Sequence, residues 1–149
     1  MNVNRDAWSL VVATFGSVVA LNFGWEMAQA RLYEAMGTAW EATRRCFVAS
    51  LGDGLMVLLV VASGAMLFGS VRWFVKPRLA SYAFAALTGL ILAVAVELWG
   101  LATGRWTYQV HMPRVPGTEL GAVPLVQMAI LTPLSLWLAS AWRRRPGIR

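Results

Sequence analysis

The third apolar block of the chain decides the fold. It occupies residues 80–103 and reads ASYAFAALTGLILAVAVELWGLAT, with Glu97 as its one charged residue. About 20 apolar residues in a helix cross the hydrocarbon core of a bilayer, so this block is long enough to span a membrane. A helix on the surface of a water-soluble protein carries polar residues at every third or fourth position, and this block does not. It therefore predicts a transmembrane helix.

Three further apolar blocks of similar length precede or follow this one. The predicted spans are residues 8–30, 46–70, 80–103 and 122–142. The connections between them are short, which predicts an all-α, antiparallel four-transmembrane-helix bundle forming one membrane domain, residues 1–149. The first span is predicted to be retained and not cleaved as a signal peptide, because Asn22 and Glu26 interrupt its apolar run.

Composition and charge support a membrane protein. Of the 149 residues, 58% are hydrophobic and 13% are charged, whereas a soluble domain has about 25% charged residues. The net charge of +6 comes from basic residues beside the apolar blocks, where they contact lipid headgroups. We therefore expect the lipid bilayer as a partner and no nucleic acid. The basic residues are almost all arginine, as in GC-rich genomes, which favours a bacterial cell (inner) membrane.

The basic residues also predict an orientation. One side of the bundle, which includes both termini, carries Arg5, Arg72, Lys76, Arg78, Arg143, Arg144, Arg145 and Arg149. The other side carries Arg31, Arg44, Arg45, Arg105 and Arg114. Since cytoplasmic loops hold the excess of basic residues, both termini are predicted to be cytoplasmic. On that side, Pro77 is expected to separate the second and third helices.

Three carboxylates lie within or at the edge of the spans, and each requires a reason. An ionisable residue in a span costs about 2.5–3.5 kcal/mol on insertion scales. With a rise of 1.5 Å per residue, Glu26, Asp53 and Glu97 fall at a similar depth, near the outer surface. Gln127 lies near the start of the fourth span and belongs to the same layer. The sequence thus predicts a polar layer at one end of the bundle.

Helical spacing predicts that these side chains point inward. Asn22, Glu26 and Gln29 share one face of the first helix, and Cys46, Ser50 and Asp53 share one face of the second. In the third helix, Glu97 continues a row of Ala85, Gly89 and Ala93, small residues typical of close helix packing. We therefore predict one pocket formed by all four helices. Cys46 is interpreted as a small packing residue and not a nucleophile.

The segment from Gly104 to Gly121 is predicted to be a structured loop on the same side as the polar layer. It contains Arg105, Trp106, Tyr108 and His111, which we expect at the mouth of the pocket. Arg105 is expected to pair with one of the buried acids. Before the second span, residues 31–45 are predicted to extend the first or second helix, with Glu41 pairing with Arg44 or Arg45.

The pattern favours an intramembrane enzyme acting on a lipid, isoprenoid or lipid-linked substrate. Two carboxyl groups in an apolar pocket can serve as acid and base. The predicted catalytic groups are Glu26, Asp53 and Glu97. The predicted substrate-binding residues are Asn22, Gln29, Arg105, Trp106, Tyr108, His111 and Gln127. The sequence identifies no cofactor, and it lacks the spacing of known metal motifs, so no metal site is assigned.

Two other functions remain open at this point. One is a small proton- or cation-coupled carrier, although a transport path requires polar residues through the full depth of the membrane. The other is a non-catalytic subunit or assembly factor of a membrane complex, in which the acids fix helix register by hydrogen bonding. A homo-oligomer or a membrane-protein partner is compatible with either. The accessibility of the acid pocket distinguishes the three.

Overall fold

A computed structural model describes residues 3–76 and 78–143, and the side chains of 7–76 and 78–142. Its long helices are α1 (Val3–Gln29), α2 (Ala39–Phe68), α3 (Leu79–Ala102) and α4 (Ala122–Arg143), with a short 3-10 turn over Ala30–Leu32. Within the described residues there is no β-strand, and all four helices are long and apolar enough to cross a membrane. The predicted all-helical fold is confirmed. Membrane insertion and the orientation of the termini stay predictions.

Helix α2 begins about two turns before the predicted boundary at residue 46. The Thr38 side chain accepts a hydrogen bond from the backbone N–H of Glu41, and the Glu41 carboxylate accepts one from the backbone N–H of Thr38. This reciprocal capping box stabilises the first turn of a helix. The Glu41 carboxylate also accepts from the Thr38 hydroxyl. Its role is therefore to cap the helix, and the predicted ion pair with Arg44 or Arg45 does not form.

The helices form a closed ring in the order α1, α2, α3, α4. Close packing joins α1 to α2, α3 to α4 and α1 to α4, whereas α2 and α3 pack together least closely. The end of the bundle that holds residues 30–38 and 103–121 is called here the long-loop end. The opposite end, where α1 begins and α4 finishes, is called the terminal end. The loosely packed contact between α2 and α3 is called here the α2–α3 seam.

The predicted inward faces are buried. Asn22, Gln29, Ser50 and Asp53 are buried, and Glu26 is half-buried. The row of small residues in α3 faces α4: a Cβ at Gly89 would lie 2.6 Å from the Thr132 hydroxyl oxygen. A small residue there allows the two helices to approach closely.

An aromatic cluster fills the terminal end, on the side where α2 and α3 meet. The Trp73 ring lies 5.3 Å from Phe68, 5.4 Å from Phe74 and 5.6 Å from Phe84. Its indole N–H donates to the carbonyl oxygen of Val61 at 3.1 Å. These contacts close the α2–α3 seam at the terminal end. The predicted helix break at Pro77 lies outside the described residues.

The two connections at the long-loop end are held to each other. Tyr33 and Tyr108 form an isolated antiparallel bridge, with backbone hydrogen bonds from Glu34 to Thr107 at 3.0 Å and from Gln109 to Leu32 at 2.9 Å. Residues 103–121 are therefore a structured loop, as predicted. The bridge places both connections over the polar layer.

Candidate functional site

The predicted polar layer surrounds one cavity of about 610 Å³ at the long-loop end. Each helix contributes a carboxyl or amide side chain to its lining: Glu26, Asp53, Glu97 and Gln127. The cavity is lined by the inward faces that helical spacing predicted, one per helix. Three carboxyl groups from three different helices therefore face a common space.

Gln127 is the centre of the polar contacts. Its side-chain nitrogen donates to Asn22 Oδ1 at 2.8 Å, to Glu26 Oε1 at 3.0 Å and to Asp53 Oδ2 at 3.2 Å. A side-chain amide has two hydrogens to donate, so three acceptors share two donors. Because Glu26 and Asp53 approach the same nitrogen, these carboxylate oxygens lie within about 6 Å of each other.

Gln29 and Asn22 support this arrangement from behind the cavity wall. The Gln29 side-chain nitrogen donates to Glu26 Oε1 and to Gln127 Oε1, both at 2.9 Å. Asn22 donates to the Val18 carbonyl at 2.9 Å, which directs its own oxygen to Gln127. Neither residue is part of the cavity lining. The structure therefore places them where they orient Gln127 and Glu26.

Glu97 is the acid with the least support. It is 4% exposed, and its Oε2 atom is buried without a hydrogen-bond partner. The Trp106 indole and the backbone of Gly121 face its carboxyl group, but the buried indole nitrogen also has no aligned partner. Trp106 reaches this position because Gly100 lacks a side chain: a Cβ there would lie 2.0 Å from the ring. An unsatisfied carboxylate oxygen and an unsatisfied N–H thus stand at one wall.

Among the described side chains, no cation pairs with these acids. None of the three carboxyl groups forms an ion pair with a residue whose side chain is described. The predicted pairing of Arg105 with a buried acid is wrong, because its guanidinium lies over the Trp99 ring, 5.1 Å from the centroid. A guanidinium on an indole face gains a cation–π interaction without leaving water. Arg105 nevertheless lines the cavity, as does Trp106.

Two predicted mouth residues lie elsewhere. Tyr108 is buried, with its ring 5.3 Å from that of Tyr33, and it is not in the cavity lining. His111 is exposed on the loop and does not line the cavity either. Tyr108 packs beneath the loop, where it also contacts the position of Gly121. Its place in the fold is to hold Tyr33 against the bundle.

Sequence reasoning missed Tyr33 and Arg45, which line the cavity together with Cys46. Burial raises the pKa of the Tyr33 phenol well above its usual range, and the negative charges of Glu26, Glu97 and Asp53 raise it further. The phenol is thus a protonated hydrogen-bond donor that lines the same cavity as the three acids. Cys46 is 2% exposed. Its position on the inward face of α2 was visible in the sequence, whereas that of Tyr33 depends on the loop bridge.

The cavity extends to the outside of the bundle between α2 and α3. Val48, Ala49 and Gly52 on α2 line it and are exposed, and Val96 and Trp99 form the facing wall on α3. This opening lies in the part of the α2–α3 seam near the long-loop end. The polar interior therefore has an apolar side opening, in addition to the mouth below the loops.

The carboxyl groups are spread around this space. Within the described part of the chain, no three His, Cys, Asp or Glu side chains form a group that could hold a metal ion. No protein family, curated protein or solved structure matches the chain.

Proposed function

We propose that the chain is a multi-pass membrane enzyme that acts on a lipid, isoprenoid or lipid-linked substrate by acid–base catalysis. One observation carries the proposal: Glu26, Asp53 and Glu97 come from three helices and line a single cavity, and no cation among the described side chains pairs with any of them. Uncompensated ionisable residues inside a membrane protein are expensive and mark functional sites.

The chemistry proposed is proton transfer between the substrate and the acid cluster. Glu26 and Asp53 share the Gln127 amide, whereas Glu97 stands apart beside Trp106. Carboxyl groups in different environments can divide the roles of acid and base. We assign Glu97 the proton transfer at the substrate, because it lines the cavity and does not share the Gln127 amide. Glu26 and Asp53 form a pair of carboxyl groups that takes up or supplies the proton.

The side opening supports a substrate that enters from the membrane. A lipid-like molecule can pass between α2 and α3 with its chain in contact with Val48, Ala49 and Met56 while its polar part reaches the acids. Ligand sites combine a mostly apolar lining with a few placed polar groups. The volume of about 610 Å³ is within the range of about 300–1,000 Å³ found for such sites.

A carrier is less well supported, because the polar layer does not continue toward the terminal end. There the hydroxyls of Thr14, Ser135 and Ser140 donate to backbone carbonyls of their own helices. Trp73 and its aromatic neighbours fill the α2–α3 seam. A subunit role would require the acids to act as structural hydrogen-bonding groups, and Glu97 Oε2 is buried without a hydrogen-bond partner.

The experiment is a comparison of lipid conversion by purified protein. The full chain in nonionic detergent is incubated with a membrane lipid extract, and consumed and formed lipids are identified by mass spectrometry. Variants Glu26→Gln, Asp53→Asn and Glu97→Gln are compared with the parent chain. The matched control is Glu119→Gln, an exposed acid that pairs with Arg114 and does not line the cavity.

We expect the parent and Glu119→Gln to convert a lipid class that the three cavity variants leave unchanged. Loss of one general acid or base lowers rates by about 10²–10⁴-fold. Identical lipid profiles for the parent chain and the cavity variants would overturn the enzyme proposal and favour the subunit role.

A further inference from the structure

Two arginines line the cavity above the acids. Arg45 belongs to α2, and Arg105 to the loop that follows α3, so they face the mouth from both sides of the α2–α3 seam. Neither forms an ion pair with any carboxylate among the described side chains. The other basic residues at the long-loop end, Arg31, Arg44 and Arg114, are exposed and do not line the cavity.

Both guanidinium groups are held in place by local contacts. Arg45 donates to the Ala35 carbonyl oxygen at 2.7 Å, and Ala35 adopts a left-handed backbone with φ of 51°. Such a conformation is unfavourable for a residue with a Cβ and persists where the surroundings impose it. Arg105 rests on the Trp99 ring. Each contact leaves further N–H donors of the guanidinium unused, since arginine has five.

The charges are layered along the bundle axis. Arg45 precedes Asp53 by about two turns of α2, or about 12 Å, and Arg105 follows the end of α3 beyond Glu97. Tyr33, which belongs to the loop bridge, also lines the cavity. The remaining acid of the lining, Glu34, accepts a hydrogen bond from the Thr107 hydroxyl at 3.0 Å. The rim therefore carries two arginines and Glu34, and the three helix-borne acids lie below it.

We propose that Arg45 and Arg105 bind the anionic head group of an amphiphilic substrate whose chain leaves between α2 and α3. This proposal names the substrate class of the proposed enzyme and therefore rests on the proposed function. Guanidinium groups bind phosphate and carboxylate oxygens through paired N–H donors. With the head at the rim, the bond that joins head to chain lies over the acids, where chemistry is expected. The chain then contacts the exposed apolar wall of α2.

The test is a binding measurement that needs no turnover. Purified full-length protein in nonionic detergent is titrated with dodecyl phosphate, and native mass spectrometry counts the bound copies. Dodecylphosphocholine tests whether net negative charge is required, and inorganic phosphate tests whether the chain is required. The variants are Arg45→Gln and Arg105→Gln, with Arg44→Gln as the matched control on the neighbouring residue. Melting temperatures verify that each variant is folded, and Arg45→Lys replaces Arg45→Gln if that variant is unstable.

We expect one tightly held dodecyl phosphate per chain, with an affinity about tenfold lower in each rim variant and unchanged in Arg44→Gln. Equal weakening in Arg44→Gln, or equal binding of dodecylphosphocholine, would overturn the proposal. Equal binding of inorganic phosphate would show a free anion as the ligand and would overturn the amphiphile assignment.

The two proposals fail separately. If the rim variants lose dodecyl phosphate while the acid variants still convert lipid, the rim is established and the assigned acid chemistry is wrong. If lipid conversion requires the acids but dodecyl phosphate does not bind, the enzyme stands and the anionic head group is wrong.

Discussion

The two ends of the bundle solve the same packing problem in opposite ways. At the terminal end, the polar atom of the largest side chain is satisfied, because Trp73 donates to the Val61 carbonyl, and its ring contacts three phenylalanines. At the long-loop end, Gln29 Oε1, Glu97 Oε2, Trp106 Nε1 and the Tyr108 hydroxyl are buried without partners.

This difference teaches where stability comes from. A buried polar group without a partner costs about 1–3 kcal/mol, so the long-loop end holds its arrangement against stability. The terminal end supplies satisfied contacts and dense packing. We therefore infer that the terminal end is the scaffold, and the long-loop end holds the candidate site.

The largest expected effect is at the scaffold. Trp73→Ala should lower the free energy of unfolding by about 3–5 kcal/mol, because it empties the aromatic cluster and removes a buried hydrogen bond. Denaturant unfolding in detergent measures this change. Trp8→Ala is the control, since Trp8 is 70% exposed. If the two variants lose similar stability, the terminal end is not the scaffold.

The second largest effect is expected when the hydrogen-bond donor at the centre of the site is replaced by an acceptor. Gln127→Glu replaces the amide that serves Asn22, Glu26 and Asp53 with a fourth carboxyl group. We expect the free energy of unfolding to fall by about 2–3 kcal/mol, because three acceptors lose their donor. Gln109→Glu on the long-loop connection, where the side chain is half-buried and outside the cavity, serves as the control. A thermal melt that shows no difference between the two would mean that Gln127 does not organise the acids.

A smaller effect separates the wall from the acids. In Gly100→Ala, the new Cβ would meet the Trp106 ring at 2.0–2.5 Å, and moving the ring should cost about 1–3 kcal/mol. It should also reduce dodecyl phosphate binding. Gly24→Ala is the matched control, because nothing lies within 4 Å of its Cβ position, and alanine there should stabilise the helix slightly. Equal melting temperatures for the two variants would show that Trp106 is not held against Gly100.

The smallest effect concerns the strained residue at the rim. Ala35→Gly should raise the free energy of unfolding by about 0.5 kcal/mol, since glycine accepts a positive φ without steric cost but loses more entropy on folding. Ala28→Gly, in an exposed position of α1, should instead lower it by about 1 kcal/mol. A fall of the same size at Ala35 would contradict the left-handed backbone assigned to it.

The sequence predicted the helices and the acid layer because both depend on local properties. Apolar length gives the spans, and spacing along one helix gives the depth and face of Glu26, Asp53, Glu97 and Gln127. The early start of α2 was also readable, since Thr38 and Glu41 have the spacing of a capping box. Apolar length alone placed the start of the second span at residue 46, after the point where the helix begins.

The rest depends on contacts between distant segments. Tyr33 reaches the cavity through its bridge to Tyr108, which no periodicity encodes. Arg105 had two partners within reach, a buried acid or the face of Trp99. An acid would have required the guanidinium to lose water, whereas the indole face lets it remain exposed. Sequence order does not rank these options.

The central claim is that the three acids are kept for function at a cost in stability. Glu26→Gln, Asp53→Asn and Glu97→Gln each retain an acceptor oxygen and remove a buried ionisable group, so their unfolding free energies in detergent test it directly, with Glu119→Gln as the control. The account predicts values equal to the parent or up to about 2 kcal/mol higher. A fall of about 2 kcal/mol or more in all three variants, with Glu119→Gln unchanged, would show that the acids hold the bundle together and would contradict the account.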